Sequence, residues 1–590
     1  MVQHEKEKRI KIRLRSTFYF VFWIFILLLV RLFQVQVVQA GKFQHLAAEE
    51  HDEKIFIPAV RGSIFDRNGN LLAMSISGYS IAANPLKISH PKKTARDLST
   101  ILNLPESDLE KLLTTQSSFV WILRKVSFEK AEKVKALGLD GIDVVEEPTG
   151  KRIYPKGDLA CHVLGFTGID EQGLDGIELY YDKQLQGTPG YFLASIDGLG
   201  RVMPNGVSRL VPAIRGADIT LTLDDTLQYI AQQELEACVK AKHAKSGDVI
   251  IMNPYTGAIL AMASYPYFNG NEYWNFPAFV LRNHAISDDY EPGSTFKLIL
   301  AAAALDSGKV SIDEKFRAFP FLEVDGWRIH NADDGLTPAS PFADIGTIIQ
   351  DSLNVGAASI ALKIGTQVFA KMIERFGLDK PTGIDLPGET SSIVPDPKTW
   401  SRIQLATISY GQGIAVTPLQ MLAAYAAIAN GGYPVRPHLV EKVTFSDGQT
   451  VVEPEGHAPT PIMSAKTDEE LKYLLSLVVQ KGTAPTAAIP NYTTAGKTGT
   501  AHVNENGRYL SGRYVASFIG FAPVEKPAFV MLVNVNEPRF PYWGGTVAAP
   551  LFKKIGEEVL WRLEVPPSKG MVHVGPFEVW SEESSPKKGL

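Results

Sequence analysis

The chain has 590 residues, room for three or four domains at roughly 150 residues each, and its 45% hydrophobic and 21% charged content is that of an ordinary folded protein. Fifty-nine Lys and Arg against 64 Asp and Glu leave a net charge of -5, which excludes a polycation built to hold nucleic acid backbone. Two cysteines, Cys161 and Cys238, exclude a disulfide framework and a Cys-rich zinc site, and the histidines contain no close metal-binding pair, so no metal or cofactor is expected.

Residues 1–16 form a basic tail in which Lys6, Lys8, Arg9, Lys11, Arg13 and Arg15 outweigh Glu5 and Glu7. Thr17 to Val30 carries no charge, and continuing to Val38 gives about 22 residues, close to the ~20 that a helix needs to cross ~30 Å of hydrocarbon. Residues 17–38 therefore read as a transmembrane signal anchor. Val38-Gln39-Ala40 looks like a signal-peptide cleavage site, but the long apolar stretch and the approach through Gln34 and Gln36 favour a retained span. Arg31 is out of place in it: its long stem can snorkel to the interface, or its charge can meet a partner helix. The flanking positive charge is expected to keep residues 1–16 in the cytoplasm and send everything after Gly41 across the membrane.

Beyond the anchor the chain reads as mixed α/β. Short apolar runs broken by Gly and Pro from Phe56 to Leu221 predict mainly strands, with turns at Arg67-Asn68-Gly69-Asn70 and Pro148-Thr149-Gly150. Asp224 to Ala241 has helical spacing, and Asp248 to Met262 reads as a hairpin around Asn253-Pro254-Tyr255-Thr256-Gly257, which puts the main boundary between residues 225 and 245. Further helices are expected at Leu298 to Leu305 and Leu419 to Ala429. A second hairpin should join Tyr514 to Gly520 with Ala528 to Val533. The polar segment 566–590 is expected to be a disordered tail.

The candidate nucleophile lies in Ser294-Thr295-Phe296-Lys297, behind Pro292-Gly293 and ahead of an alanine-rich run. At a helix start, Ser294 and Lys297 stand one turn apart on one face, so the amine reaches the hydroxyl. Alone the pattern says little, because S-x-x-K recurs at Ser89, Ser127, Ser584 and Ser585 and a serine opening a helix reads as an N-cap. Two further elements add weight. Ser352-Leu353-Asn354 is the only S-x-N in the chain and opens the helical stretch Val355 to Ile364. Lys497-Thr498-Gly499-Thr500 reads as a strand in which Gly499 permits close backbone approach, although Lys245-Ser246-Gly247 shows that such a triplet also arises elsewhere. S-x-x-K, then S-x-N, then K-T-G is the ordered signature of penicillin-binding proteins and serine β-lactamases.

The resemblance extends along the chain. Arg61 to Gly69, Arg152-Ile153-Tyr154-Pro155, and Gly173 to Glu178 running into Tyr181-Asp182 resemble the non-catalytic domain of class B penicillin-binding proteins, and Gly411 to Gln420 resembles their catalytic domain. The E-D-x-x-F glycosyltransferase motif of class A members is not found. Glu291 before Pro-Gly-Ser, with K-T-G in place of K-S-G, looks more like the division-specific type than the elongation type.

The resemblance implies a β-rich elongated pedestal (the penicillin-binding protein dimerisation domain) over 41–230. It also implies a transpeptidase domain over 240–565, a five-stranded antiparallel sheet between helical layers. In that family Ser294 would attack the D-Ala-D-Ala bond of a peptidoglycan stem peptide, with Lys297 as proton acceptor, Ser352 as relay and Asn354 holding Lys297 and substrate. Lys497 would be the cation that favours a neutral Lys297. Thr498, Gly499 and Thr500 would bind substrate, the backbone N–H groups of Ser294 and Thr500 forming the oxyanion hole. β-Lactams would acylate the same serine. The implied partners are lipid-linked or nascent glycan strands, a membrane-embedded polymerase of the shape, elongation, division and sporulation family, and other division proteins, with no nucleic acid. The implied location is the bacterial cytoplasmic membrane, with the catalytic domain outside. A β-lactam hydrolase shares the triplets, but no E-x-x-L-N segment lies between Asn354 and Lys497 to drive deacylation; a non-catalytic β-lactam sensor would not need every reactive group.

Overall fold

A charge-free segment in hydrocarbon can satisfy its backbone only by bonding internally. In the computed structural model, which describes residues 2–42, 52–196, 202–332, 340–452, 456–505 and 508–568, helix α1 (Val2–Phe33) continues as a π-helical turn to Val38. The helix therefore starts well before Thr17 and takes in the basic tail. It is the one described helix long and apolar enough to cross a membrane, over Lys8–Val38. The Arg31 guanidinium donates to the Gln34 side chain at 2.9 Å, an internal partner one turn away that lowers the cost of its charge. Most of the expected tail falls outside the described residues. Ser568, inside them, donates its N–H to the Asn491 carbonyl at 3.0 Å.

The chain divides into two compact units, Met1–Ala59 with Thr188–Ile214, and Val60–Gly187 with Arg215–Leu590. The first holds a separate three-stranded antiparallel sheet in which Gly190–Ile196 lies between Asp52–Ile57 and Val202–Val211.

In the second unit one mixed sheet crosses the expected boundary. Val440–Thr444 pairs antiparallel with Asp218–Leu221, which pairs parallel with Ile64–Phe65; the long strand Leu71–Ala83 continues it, flanked by Val120–Val126 and Ile142–Ile153. Strands frame this region as expected, but three helices sit on them, Pro91–Leu102, Glu106–Leu113 and Phe128–Ala136. Pro at the first helical position opens one, and Ser127 caps another by accepting from the Lys130 N–H. Their apolar stripe closes a small core of Ile81, Leu98, Leu109, Leu113 and Val134.

The recurring Arg, Glu and Asp of the N-terminal motifs meet in one buried knot. Glu178 accepts from Arg61 and Arg152 at 2.7 Å each, Arg61 also reaches Asp182 at 2.7 Å, and Arg152 donates to the Gly62 carbonyl at 2.7 Å. Both guanidinium side chains are almost wholly buried.

The C-terminal part begins with α2 (Asp225–Ala241), capped by the Asp224 carboxylate. The hairpin strands β1 (Ser246–Met252) and β2 (Ile259–Tyr265) follow. Then come α3 (Lys297–Asp306), α4 (Ile345–Gln350), α5 (Asn354–Ile364), α6 (Pro418–Ala429) and α7 (Ala465–Gln480), and finally β3 (Ala495–Glu505), β4 (Arg508–Ala522), β5 (Phe529–Asn536) and α8 (Gly544–Arg562). The five strands form an antiparallel sheet in the order β2-β1-β5-β4-β3. Every residue of β1 is buried, so helices cover both faces of the sheet. Helix α3 is buried from Lys297 to Leu305, as its apolar run Leu298 to Leu305 requires. A lysine at its first turn is therefore held in the interior.

Candidate active site

Ser294 is delivered by a tight turn that two glycines permit. Gly293 has φ +57° and donates to the Gly411 carbonyl at 3.2 Å; Gly411 has φ +78°, and a Cβ there would stand 2.2 Å from the Gly293 carbonyl oxygen. A single 3-10 turn, Gly293–Phe296, then runs into α3. The Thr295 hydroxyl donates to the Pro292 carbonyl, and the Thr295 carbonyl accepts from the buried Tyr425 hydroxyl of α6 at 2.9 Å. Unlike Ser127, Ser294 caps nothing: its Oγ lies 3.0 Å from Lys297 Nζ, and Lys297 is 0% exposed.

The S-x-N triplet forms the corner between α4 and α5. Ser352 sits at φ +58° in the left-handed position that ends α4, where glycine is usual, and the Leu353 N–H closes a Schellman bond to the Ile348 carbonyl at 2.9 Å. This corner turns the Ser352 carbonyl, the Ser352 hydroxyl and the Asn354 side chain toward Lys297. Nζ lies 2.5 Å from Ser352 O, 2.7 Å from Asn354 Oδ1 and 3.2 Å from Ser352 Oγ. Beyond its bond to Cε, Nζ has three positions for these neighbours and Ser294 Oγ. The two carbonyl oxygens can only accept. A neutral amine gives them its two N–H bonds and turns its lone pair to a hydroxyl, whereas an ammonium donates to all three positions.

Lys497, also 0% exposed, donates to Ser352 Oγ at 2.9 Å, so this hydroxyl joins the two lysines. Among the described residues strand β3 is at the sheet edge, with β4 its one strand partner, and an edge of this kind can take an added strand. The decoy Lys245-Ser246-Gly247 leads into β1, which is paired on both sides. A Cβ at Gly499 would meet Ser517 Oγ at 2.2 Å and both the Pro292 carbonyl and Thr295 Cγ2 at 3.1 Å, so the bare glycine lets β3 lie against the serine turn. Thr498 Oγ1 shares a hydrogen bond with Thr483 at 2.7 Å. Thr500 Oγ1 accepts from the Gly544 N–H at 3.0 Å, which leaves its own proton to donate elsewhere.

All eight sequence-derived site residues thus come from segments that meet in one place. Thr483, Ser517, Gly544 and Tyr425, which support them, carry no signal in the chain, because their partners are distant in sequence. Among the described residues no cluster of His, Cys, Asp and Glu could hold a metal ion. The two thiols are free; burial pushes the Cys161 thiol up to about 12 and raises that of Cys238, so neither competes as a nucleophile. A hydroxyl beside an amine whose other contacts are occupied, next to a second hydroxyl and an open strand edge, has the parts needed for acyl transfer.

Comparison with known proteins finds similar domains and chains. The penicillin binding protein transpeptidase domain matches residues 247–557, and the penicillin-binding protein dimerisation domain matches residues 56–221. Stage V sporulation protein D of Bacillus subtilis is 36% identical over 549 residues, covering 92% of this chain and 84% of that one. The peptidoglycan D,D-transpeptidase FtsI of Escherichia coli is 32% identical over 540 residues, covering 90% of this chain and 87% of that one. The crystal structure of penicillin binding protein 3 from Mycobacterium tuberculosis, complexed with aztreonam, superposes with a TM-score of 0.67 at 28% identity, covering 87% of this chain and 98% of that one.

Proposed function

From the premise that this chain belongs to the class B penicillin-binding proteins and is a peptidoglycan D,D-transpeptidase, we propose that it cross-links stem peptides of the septal wall through an acyl-enzyme on Ser294. The observation that carries the residue assignment is the 3.0 Å contact between Lys297 Nζ and Ser294 Oγ inside a buried polar cluster. Ser294 Oγ attacks the carbonyl carbon between the two terminal D-alanines and its proton passes to neutral Lys297. Burial and the neighbouring Lys497 both act against a charged Lys297. The carbon–nitrogen bond breaks, the last D-alanine leaves with a proton relayed through Ser352, and Asn354 holds Lys297 and the substrate amide. An amine of a second stem peptide then attacks the ester, gives up its proton to Lys297, and the serine hydroxyl is restored. The N–H groups of Ser294 and Thr500 take the developing oxyanion, ~3 to 4 kcal/mol for such a donor. The Thr498 and Thr500 hydroxyls hold the terminal carboxylate, which β-lactams imitate.

The division role rests on Glu291 ahead of Pro-Gly-Ser, on Lys497-Thr498-Gly499, and on the similarity to FtsI of Escherichia coli. An elongation-type enzyme is the second reading. In this account residues 1–16 are cytoplasmic, 17–38 span the cytoplasmic membrane, 41–230 form the pedestal and 240–565 the catalytic domain outside. The glycan comes from a membrane-embedded polymerase of the shape, elongation, division and sporulation family, with Arg31 at the contact. Complementation by Arg31→Leu at normal membrane level and normal penicillin labelling would remove Arg31 from that contact.

The test of the site is labelling of the full chain with a fluorescent penicillin, followed by peptide mapping. Label on the Ser294 peptide, and none in a normally melting Ser294→Ala variant, is expected. Label that persists in that variant, on Ser352 or elsewhere, would overturn the assignment.

A further inference from the structure

Three residues before Ser294, the Glu291 carboxylate gathers three segments of the chain. Oε1 accepts from the Gly413 N–H at 3.0 Å, and both oxygens lie 3.1 Å from the Tyr509 hydroxyl that donates to them. Burial raises the carboxyl above its ordinary range. Gly413 belongs to the same Gly411-Gln412-Gly413 turn whose Gly411 carbonyl holds Gly293. Asn504 and Tyr509 face each other across β3 and β4, on the outer part of the hairpin whose inner part carries Lys497 to Thr500.

That outer part has a particular need of an external tie. The β3–β4 register shifts between His502 and Asn504, and such a shift is where a strand pair bends and loses its regular ladder. Beyond the shift Tyr509 packs against the His502 ring, with centroids 6.0 Å apart, and His502 against Tyr514 at 4.6 Å. The one described carboxylate bound to Tyr509 is Glu291, on the serine turn. Tyr509 of β4 thus ties the outer end of the hairpin to the serine turn, and β3, paired with β4, is restrained relative to Ser294 through it.

We infer that Glu291 is a positioning residue that, through Tyr509, fixes the spacing between the Ser294 turn and strand β3 and so aligns a bound carbonyl with the serine. The inference rests on the assignment of Ser294 as nucleophile. Because β3 keeps its own substrate-binding groups, loss of the tie misaligns bound ligand more than it weakens binding. The saturating rate of acylation falls and the half-saturating concentration hardly moves.

The experiment is stopped-flow acylation of the full-length protein by a fluorescent penicillin, for Glu291→Ala, Glu291→Gln, Tyr509→Phe and the Glu291→Ala/Tyr509→Phe pair, with melting temperatures recorded. The expected result is a saturating rate lowered about tenfold in Glu291→Ala and about threefold in Tyr509→Phe, with half-saturation within about twofold of wild type. Glu291→Gln, which keeps one acceptor oxygen, should lie between Glu291→Ala and wild type, and the pair should be no slower than Glu291→Ala alone. A wild-type rate in Tyr509→Phe, multiplied losses in the pair, or losses confined to half-saturation would overturn the inference. Ser294→Ala separates the two levels. If it still labels, the nucleophile assignment fails; if it is silent while the Glu291 and Tyr509 variants behave as wild type, only the inference fails.

Discussion

Lys297 Nζ lies within reach of Ser294 Oγ, Ser352 O, Ser352 Oγ and Asn354 Oδ1, more oxygens than the three positions it offers, and the two carbonyl oxygens can only accept. Its chemistry therefore depends on which hydroxyl receives the third position and on whether that position carries a proton. Lys297→Arg keeps a cation but removes the group that can lose it and replaces a compact ammonium by a planar fork. Acylation by penicillin should fall by at least about a hundredfold, whereas retention within about threefold of wild type would mean a base other than Lys297. At this scale much was legible in the chain, since the order S-x-x-K, S-x-N, K-T-G brought together Ser294, Lys297, Ser352, Asn354 and Lys497. Their local settings were not. Ser352 ends a helix in the left-handed region where glycine would be expected, and Ser294 does not cap the helix it precedes. Both conformations are imposed by tertiary packing, to which a triplet is blind.

Among elements, the edge strand and the serine turn set the width of the cleft, and glycines set their approach. Gly499→Ala places a methyl 2.2 Å from Ser517 Oγ and 3.1 Å from Pro292 O. Acylation should fall about tenfold with the sheet intact, and adding Ser517→Ala, which removes the nearest clash, should recover part of the loss. No loss in Gly499→Ala would show that the cleft width is not set here. Both hairpins and helices α2, α3, α5 and α6 could be read from periodicity and turn residues. The three helices over 91–136 were harder to see. Their short apolar stripes lie among Gly- and Pro-marked strands, and only Pro91 and Ser127 announce a start.

For the whole molecule, the expected division near residues 225 to 245 has a continuous sheet across it, because Val440–Thr444 pairs with Asp218–Leu221 and through it with Ile64–Phe65. Pairings between strands so far apart in the chain have no local sequence signal. The pedestal motifs, by contrast, were legible as motifs without a role, and the structure supplies one in the ion knot around Glu178. Removing Glu178 leaves Arg61 and Arg152 buried without their shared counter-charge, which typically costs about 3 to 5 kcal/mol. Glu178→Ala should lower unfolding free energy in urea by that amount, and a loss below about 1 kcal/mol would show the knot to be dispensable. Transfer of the acyl group from Ser294 to an amine is read out by cross-linking of stem peptides. The full-length protein is incubated with a D-Ala-D-Ala stem peptide and an acceptor stem peptide, and cross-linked product and free D-alanine are quantified together. One D-alanine released per cross-link by the wild type, with neither product from Ser294→Ala, is the result predicted here. Cross-links formed by Ser294→Ala, or D-alanine released by the wild type with no cross-link at any acceptor concentration, would contradict it.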